Sequence, residues 1–177
     1  MSKAKETKEK ILKQAAELFN QQGYAGSSVS DIMRATGLQK GGIYNHFQSK
    51  QELALAAFDF ASQQTSRRFL MAMKGKHNTI ERLQAILTVF RSYKDDPPLV
   101  GGCPILNSAI ESDDANPALR DRVRKAMDAW RNTICRILDR GISNGEIRAS
   151  VEVDTVATIV ISTLEGGVMM SKLYGDS

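Results

Sequence analysis

The sequence predicts an all-α protein, in which an N-terminal three-helix helix-turn-helix domain is joined by a long helix to a C-terminal α-helical domain. Two observations predict this class. Apolar residues recur at helical spacing through most of the 177 residues, and this period is typical of amphipathic helices. The chain has only four prolines, three of which (Pro97, Pro98 and Pro104) lie close together, so long stretches contain no helix breaker. We place residues 1–48 in the first domain and residues 49–177 in the second.

Composition favours a cytoplasmic globular protein. Apolar residues make up 42% of the chain and charged residues 25%, which are ordinary values for a folded domain. The N-terminal run MSKAKETKEK lacks the apolar segment of a signal peptide, and the apolar run Val156–Leu164 is too short to span a bilayer. Cys103 and Cys135 lack the spacing of a metal site or a disulfide scaffold. We therefore expect free thiols, no metal, no cofactor and no membrane contact.

The first predicted helix extends from Thr7 to Gln22 and carries much of the positive charge. Gly23 is predicted to end it. Five lysines gather near its start: Lys3, Lys5, Lys8, Lys10 and Lys13. Residues 1–50 contain eight Lys or Arg against four Asp or Glu, whereas the remaining residues contain sixteen of each. This asymmetry favours contact with phosphate groups.

A short second helix and a glycine turn follow. Ser28 is predicted to cap the helix, and Asp31 stands three residues later as the acidic partner of a capping box. Gly37 supplies the backbone freedom that ends the helix and turns the chain sharply.

The third helix, from about Lys40 to Phe47, has the pattern of a recognition helix. Ile43 and Phe47 are predicted to be buried, while Lys40, Asn45 and His46 point elsewhere. A polar second helix that follows a glycine turn is typical of the helix-turn-helix, in which this helix enters the major groove of DNA.

Three more helices are predicted between residues 49 and 112. Ser49 caps a long fourth helix that extends to about residue 74, with Glu52 in the capping-box position. Asn78 or the next residue starts a fifth helix, which ends before the Pro97-Pro98 break. Pro104 fits the first turn of a short sixth helix that extends to about residue 112.

Two long helices complete the predicted fold. Asn116 and Pro117 are a favourable cap and first residue for the seventh, which extends to residue 141 or 145. The eighth, from about residue 154 to 174, is apolar nearly all round, so we expect it to be buried on more than one side. Gly166 and Gly167 cost stability in a helix, which suggests that another helix crosses close by, preferably at a two-fold subunit contact.

Residues Thr7 to Leu53 resemble the N-terminal domain of TetR-family transcriptional regulators. The runs that carry the resemblance are ILKQAAELFNQQGY, SVSDIMRATGL and KGGIYNHFQSKQEL. The remainder resembles the family in architecture, a ligand-binding and dimerisation domain, and the run GGCPILNSAIESDDANPALRDRV resembles one subgroup. The resemblance implies a homodimer, not an enzyme, that binds a palindromic double-stranded DNA operator and is released by a small-molecule inducer. The inducer, the operator and the choice between repression and activation stay open, although repression is the leading interpretation.

The resemblance also assigns residues to the DNA contact. Those assigned to phosphates are Ser28, Tyr44, His46 and Lys50. Those assigned to base edges are Gln39, Lys40, Gly41 and Asn45. Gln39 stands where relatives often have a Ser or Thr cap, and because Gln caps helices poorly we expect it to reach a base instead.

Six residues are candidates for a ligand pocket: Met71, Phe90, Cys103, Trp130, Glu165 and Met169. Methionine and aromatic side chains suit adaptable apolar sites, and each also fits an ordinary core. Glu165 is an acid in an apolar helix and needs a partner, either a cationic ligand or an arginine such as Arg131 or Arg136.

Two alternatives remain beside the ligand-responsive regulator. A helix N-terminus lowers the pKa of a thiol, so Cys103 could serve a redox or electrophile sensor, whereas a small buried residue is its other interpretation. The second is a co-regulator of the same fold that does not bind DNA. Four residues of the predicted DNA contact argue against it: Lys40, Tyr44, His46 and Lys50. Relatives usually place two helices in the dimer interface, so either a C-terminal helix is missing after residue 177, which we favour, or the interface is built with less.

Overall fold

The computed structural model describes residues 2–112 and 116–175, and within these ranges it contains eight helices and no strand. The all-α prediction is confirmed. The helices are α1 (Lys3–Gly26), α2 (Val29–Thr36), α3 (Lys40–Tyr44), α4 (Lys50–Met73), α5 (Thr79–Arg91), α6 (Pro104–Glu111), α7 (Pro117–Ser143) and α8 (Val153–Tyr174). The chain forms two compact units, one of Met1–Thr65 with Pro98–Val123 and one of Ser66–Pro97 with Arg124–Ser177. The predicted boundary at residue 48 stays a prediction.

The first unit is built around a core that α1, α2, α3 and the start of α4 share. Its most buried side chains include Ile11, Ile32, Ile43, Phe47 and Leu53, each at most 2% exposed. Burial of this apolar surface is the main stabilising contribution to the bundle. The core therefore fixes the buried sides of α2 and α3, and so decides which of their residues face outwards.

Helix α1 is longer than predicted and contains a break where the sequence indicated an end. Gly23 has φ 76° and ψ 166°, which is not helical, and the last helical turn follows it. A Cβ at residue 23 would lie 2.7 Å from Oε1 of Glu111. The carboxylate of Glu111, at the end of α6, accepts hydrogen bonds from the backbone N–H of Tyr24 (2.7 Å) and of Ala25 (2.8 Å). The break thus brings two free amide donors to one carboxylate.

A second polar contact of the first unit links α1 to the loop before α6. The side-chain amide of Asn20, 7% exposed, donates to the carbonyl oxygens of Val100 (2.9 Å) and Gly102 (3.0 Å). The amide of Asn107 donates to Oδ1 of Asn20 (2.9 Å) and to the carbonyl oxygen of Gly101 (2.9 Å). A buried amide with these partners fixes the loop without an unsatisfied polar atom.

The predicted caps of α4, α5 and α7 are confirmed. The hydroxyl of Ser49 accepts from the backbone N–H of Glu52 (3.0 Å), and the side-chain oxygens of Asn78 and Asn116 accept from backbone N–H groups three residues later. At α4 the carboxylate of Glu52 accepts from the N–H of Gln48 (2.6 Å), one residue before the N–H that a capping box uses.

The second unit packs α5 against the later part of α7 and against α8. Its core includes Ile86, Ile134, Leu138 and Ala157, each at most 2% exposed. Gly141 is buried, and a Cβ there would collide with Oγ1 of Thr79 at the start of α5. Glycine at this position therefore allows a closer approach of α5 and α7 than alanine would.

Helix α8 is less buried than predicted. Its buried residues Ala157, Ile161, Glu165 and Val168 lie on one face, whereas exposed apolar side chains cover much of the remainder: Ile159, Met169, Met170, Leu173 and Tyr174. Within the described part of the single chain only one face of this helix is packed, so the predicted burial of a second face, preferably at a two-fold subunit contact, stays a prediction. By length and a mean hydropathy of 1.4, Val153–Tyr174 could also cross a membrane. One such helix is weak evidence for a membrane protein, because an apolar helix of a soluble protein passes the same test.

Candidate nucleic-acid interface

The α2–α3 pair is set by a cap and a glycine turn. Ser28 and Asp31 form the predicted capping box, in which the N–H of Asp31 donates to the Ser28 hydroxyl (3.2 Å) and the N–H of Ser28 donates to the Asp31 carboxylate (2.8 Å). At the other end of α2, Gly37 adopts the left-handed conformation (φ 70°, ψ 13°) and its N–H donates to the carbonyl of Met33. The capping box fixes where α2 begins, and the glycine turn fixes where it ends and in which direction the chain enters α3.

Helix α3 is shorter than predicted, and its two sides differ as expected. It ends at Tyr44, three residues before the predicted end. Ile43 and Phe47 are 1% and 2% exposed, which anchors the helix and the turn after it in the core. The outward side consists of exposed residues: Gln39, Lys40, Gly41, Tyr44 and Asn45.

The outward side of α3 combines a cation, an aromatic ring and two amides. Nζ of Lys40 lies 5.7 Å from the ring centroid of Tyr44, and Tyr44 is 38% exposed. Gln39 precedes the helix and makes no side-chain cap hydrogen bond, so its amide is available to a partner. A Cβ at Gly41 would meet nothing within 4 Å. This surface offers donors and acceptors for base edges together with a charge for phosphates.

Two predicted phosphate contacts already have partners within the protein. Besides its capping role, the hydroxyl of Ser28 donates to Oδ2 of Asp31 (2.6 Å). Nζ of Lys50 donates to the carbonyl oxygen of Tyr24 (2.6 Å) and lies 4.2 Å from the centroid of that ring. An ammonium group has three donors, so two N–H donors of Lys50 remain outside this hydrogen bond. His46 is half-buried.

The carboxylate of Asp31 is held in its charged form. Hydrogen bonds from the Ser28 hydroxyl and backbone N–H, together with the nearby Arg34 guanidinium, lower the pKa of Asp31 below its usual value. A negative charge in the first turn also interacts favourably with the dipole of α2. The lowered pKa of Asp31 therefore extends to lower pH the range in which the carboxylate is charged and can accept the capping hydrogen bond.

The six candidate ligand residues do not form one pocket. Phe90 and Trp130 stack with ring centroids 5.4 Å apart, and Phe69 and Tyr93 extend the cluster. The buried Nε1 of Trp130 has no hydrogen-bond partner among the described residues. The other four are spread out: Met71 and Met169 are 72% and 51% exposed, Glu165 is 6% exposed on α8, and Cys103, 2% exposed, belongs to the first unit.

The two thiols differ in burial, with Cys103 buried and Cys135 partly buried. Cys103 is buried before α6. The thiol of Cys135 lies 3.6 Å from Oδ1 of Asp154, and burial, followed by the hydrogen bond to Asp154 and its charge, raises the pKa of Cys135. Among the described residues no three His, Cys, Asp or Glu side chains are arranged to hold a metal ion.

A raised pKa for Cys135 predicts slow reaction with a disulfide reagent such as Ellman's at neutral pH, because little thiolate is present. Asp154→Asn removes the carboxylate that raises this pKa, so we expect Cys135 to react severalfold faster in the variant, and Asp128→Asn, an exposed change on the same helix, to have no effect. Stopped-flow absorbance gives the rates and mass spectrometry the site. Equal rates in both variants, or faster reaction of Cys103, would contradict this assignment.

Two sequence profiles cover most of the chain. Residues 11–57 match the N-terminal domain of bacterial regulatory proteins of the tetR family, and residues 79–177 match the tetracyclin repressor-like C-terminal domain. The chain belongs to the TetR family of transcriptional regulators. A TetR transcriptional regulator from Chloroflexus aurantiacus is 54% identical with a TM-score of 0.95, over 99% of this chain and 89% of that one.

Other TetR-family comparisons agree with this membership. YxaF of Bacillus subtilis, an HTH-type transcriptional regulator, is 28% identical over 99% of this chain and 90% of its own length. The regulator CifR, solved with a 26-base-pair operator duplex, shares the fold at 21% identity and a TM-score of 0.83, over 93% of this chain and 85% of that one. This TetR-family chain is thus a helix-turn-helix transcriptional regulator.

Proposed function

We propose that the protein is a cytoplasmic repressor that binds a palindromic operator as a homodimer and leaves it when a small molecule binds the C-terminal domain. The observation that carries the proposal is the outward side of α3, where Lys40, Tyr44 and Asn45 are exposed while Ile43 anchors the helix from behind. The excess positive charge of residues 1–50 supports the same proposal, because a DNA-binding region must attract negatively charged phosphates.

The proposed roles divide the surface into readers and anchors. Gln39 and Asn45 present amides that can pair bidentately with adenine, and Lys40 can donate to guanine. Gly41 lets the backbone of α3 approach the bases. Tyr44, His46, Lys50 and Ser28 would bind phosphates, which position the protein without reading sequence.

Dimerisation is proposed to use α8. Its exposed apolar side includes Met169, Met170 and Leu173, and Gly166 and Gly167 have nothing within 4 Å of where a Cβ would be. A second α8 crossing at these glycines would bury that side, and closed two-fold pairs are the commonest oligomers. Two α3 helices would then reach two half-sites about one helical turn of DNA apart.

Asn45→Ala tests base reading by α3. We expect it to weaken binding to the operator about tenfold to a hundredfold and to change the preference among operator variants, because a bidentate base contact is lost. Fluorescence anisotropy with labelled duplexes from the region upstream of the gene measures both. The matched control is Asn132→Ala, an exposed asparagine on α7, which should change neither. Unchanged operator binding by the Asn45→Ala variant would contradict the proposed contact of Asn45 with a base.

Lys50→Ala tests the phosphate contacts. We expect weaker binding to all duplexes alike and a salt slope reduced by about one unit. Thermal melting of the free protein must accompany this measurement, since Lys50 also contacts Tyr24. A loss confined to one sequence, or an unchanged slope with intact folding, would exclude the phosphate role of Lys50.

A further inference from the structure

The second unit contains an open groove that the DNA-binding role does not use. It lies between the end of α4, the start of α5 and one face of α7, with a volume of about 470 Å³. Sites for small molecules commonly have volumes of roughly 300–1,000 Å³. The groove is therefore large enough for an organic ligand.

Four cations line this groove, and no acid lies among its lining residues: Lys74, Arg82, Arg136 and Arg140. Among the described residues, none of the four forms an ion pair. Arg136 donates to the hydroxyl of Thr133 (3.2 Å) and Arg82 to the carbonyl of Lys76 (3.2 Å). Arg82 also interacts electrostatically with the carboxylate of Glu146, which lies outside the lining, so the excess positive charge of the groove rests mainly on Lys74, Arg136 and Arg140. Like charges brought together in this way repel, and an anion between them relieves the repulsion.

The same groove has an apolar side. Leu70, Met71 and Met73 belong to it, and Leu70 and Met71 are 64% and 72% exposed. Methionine side chains adapt to varied apolar ligands. On α7, Ile137 lies between Arg136 and Arg140 in the same lining, so apolar and cationic groups alternate over a distance of one helical turn.

This combination selects one class of ligand. A neutral apolar compound would leave the excess positive charge of the groove without a bound anion, and a small inorganic anion would leave Leu70 and Met71 in water. Arginine binds carboxylates through paired hydrogen bonds. We propose that the groove binds a small amphipathic anion, a carboxylate with an alkyl body, with the headgroup on Arg136 and Arg140 and the body along Leu70, Met71 and Met73.

Binding to the groove does not require DNA. That the bound carboxylate is also the effector rests on the proposed function. Binding in the groove and the effector role can be disproved independently, because binding is measured on the free protein and release is measured on the operator complex.

Titration calorimetry with dodecanoate below its micellar concentration tests the site on the full chain. We expect saturable binding that Arg136→Gln/Arg140→Gln weakens about tenfold or more, since hydrogen bonds to charged groups are lost. Arg124→Gln/Arg148→Gln, which changes two exposed arginines outside the groove lining, should leave the affinity unchanged. Circular dichroism melts establish that each variant is folded.

Two further compounds test the contributions of the carboxylate headgroup and of the alkyl chain one at a time. Neutral 1-dodecanol and short acetate should each bind about tenfold more weakly than dodecanoate or not at all, because each lacks one half of the recognition. Absence of dodecanoate binding, equal binding in the Arg136→Gln/Arg140→Gln variant, or binding only to anionic phosphatidylserine vesicles would overturn the proposal. Groove-dependent binding that leaves operator affinity unchanged keeps the site and removes the effector role.

Discussion

Replacing Gly101 by alanine is expected to lower the free energy of unfolding of the first unit by about 3 kcal/mol. Gly101 has φ 105°, and a Cβ would lie 2.7 Å from the carbonyl oxygen and 2.9 Å from the carbonyl carbon of Asn20. Positive φ costs an alanine about 1–2 kcal/mol, and overpacking adds about 1–3 kcal/mol. The backbone atoms of α1 cannot move aside as a flexible side chain would.

Gly37→Ala is the matched control, because Gly37 lies in the same unit with φ 70° and nothing within 4 Å of a Cβ. Only the backbone strain applies there, so the expected loss is about 1 kcal/mol. Urea unfolding followed by far-ultraviolet circular dichroism gives both values. Equal losses in the two variants would show that the contact between residue 101 and the carbonyl of Asn20 is unimportant.

Glu111→Ala is expected to have the second largest effect, a loss of about 2 kcal/mol. The carboxylate accepts two short hydrogen bonds from backbone amides that the break at Gly23 has removed from the helix. Water can replace the bond to exposed Ala25, but less easily the bond to half-buried Tyr24.

Two further variants serve as comparisons for Glu111→Ala. Glu111→Gln keeps one acceptor oxygen without the charge, so its loss should be about half that of the alanine variant. Glu9→Ala removes an exposed acid from α1 and should change the unfolding free energy by less than about 0.5 kcal/mol. Unfolding curves in urea decide, and a Glu111→Ala curve that coincides with that of Glu9→Ala would contradict the proposed anchoring of α1 by α6.

Local signals made most of the fold predictable. The caps at Ser28, Ser49, Asn78 and Asn116 depend on residues three positions later, and the turn at Gly37 depends on one residue without a Cβ. The burial of Ile43 and Phe47 follows from the helical period. The outward side of α3 was predictable for the same reason, since it is what remains after the buried residues are assigned.

Contacts between distant residues were not predictable from one sequence. Asn20 meets Val100 across 80 residues, and Glu111 meets Tyr24 across 87. No local pattern marks such partners, so Lys50 was assigned to phosphate without its bond to Tyr24. For helix α8, composition shows how apolar the helix is, but not whether its second face is covered by the same chain or by a partner subunit.

The groove of the second unit was partly predictable from the sequence. Thr133, Arg136, Ile137 and Arg140 follow the spacing of one helical face, which places two arginines beside an apolar residue on α7. What could not be read was the approach of Leu70 and Met71 to that face. Of the six predicted pocket residues, only Met71 lies in this lining, whereas Phe90 and Trp130 stack on each other elsewhere in the second unit.

The division of α3 into an anchored side and an outward side has an evolutionary consequence. Ile43 and Phe47 connect the helix to the core, whereas exposed Gln39, Gly41 and Asn45 contribute little to it. Surface changes of this kind usually alter stability by no more than about 0.5 kcal/mol. Duplicated copies of the gene can thus diverge in the DNA they recognise by substitutions at these positions while the fold stays intact, and the same freedom is open to an engineer who wishes to retarget the protein.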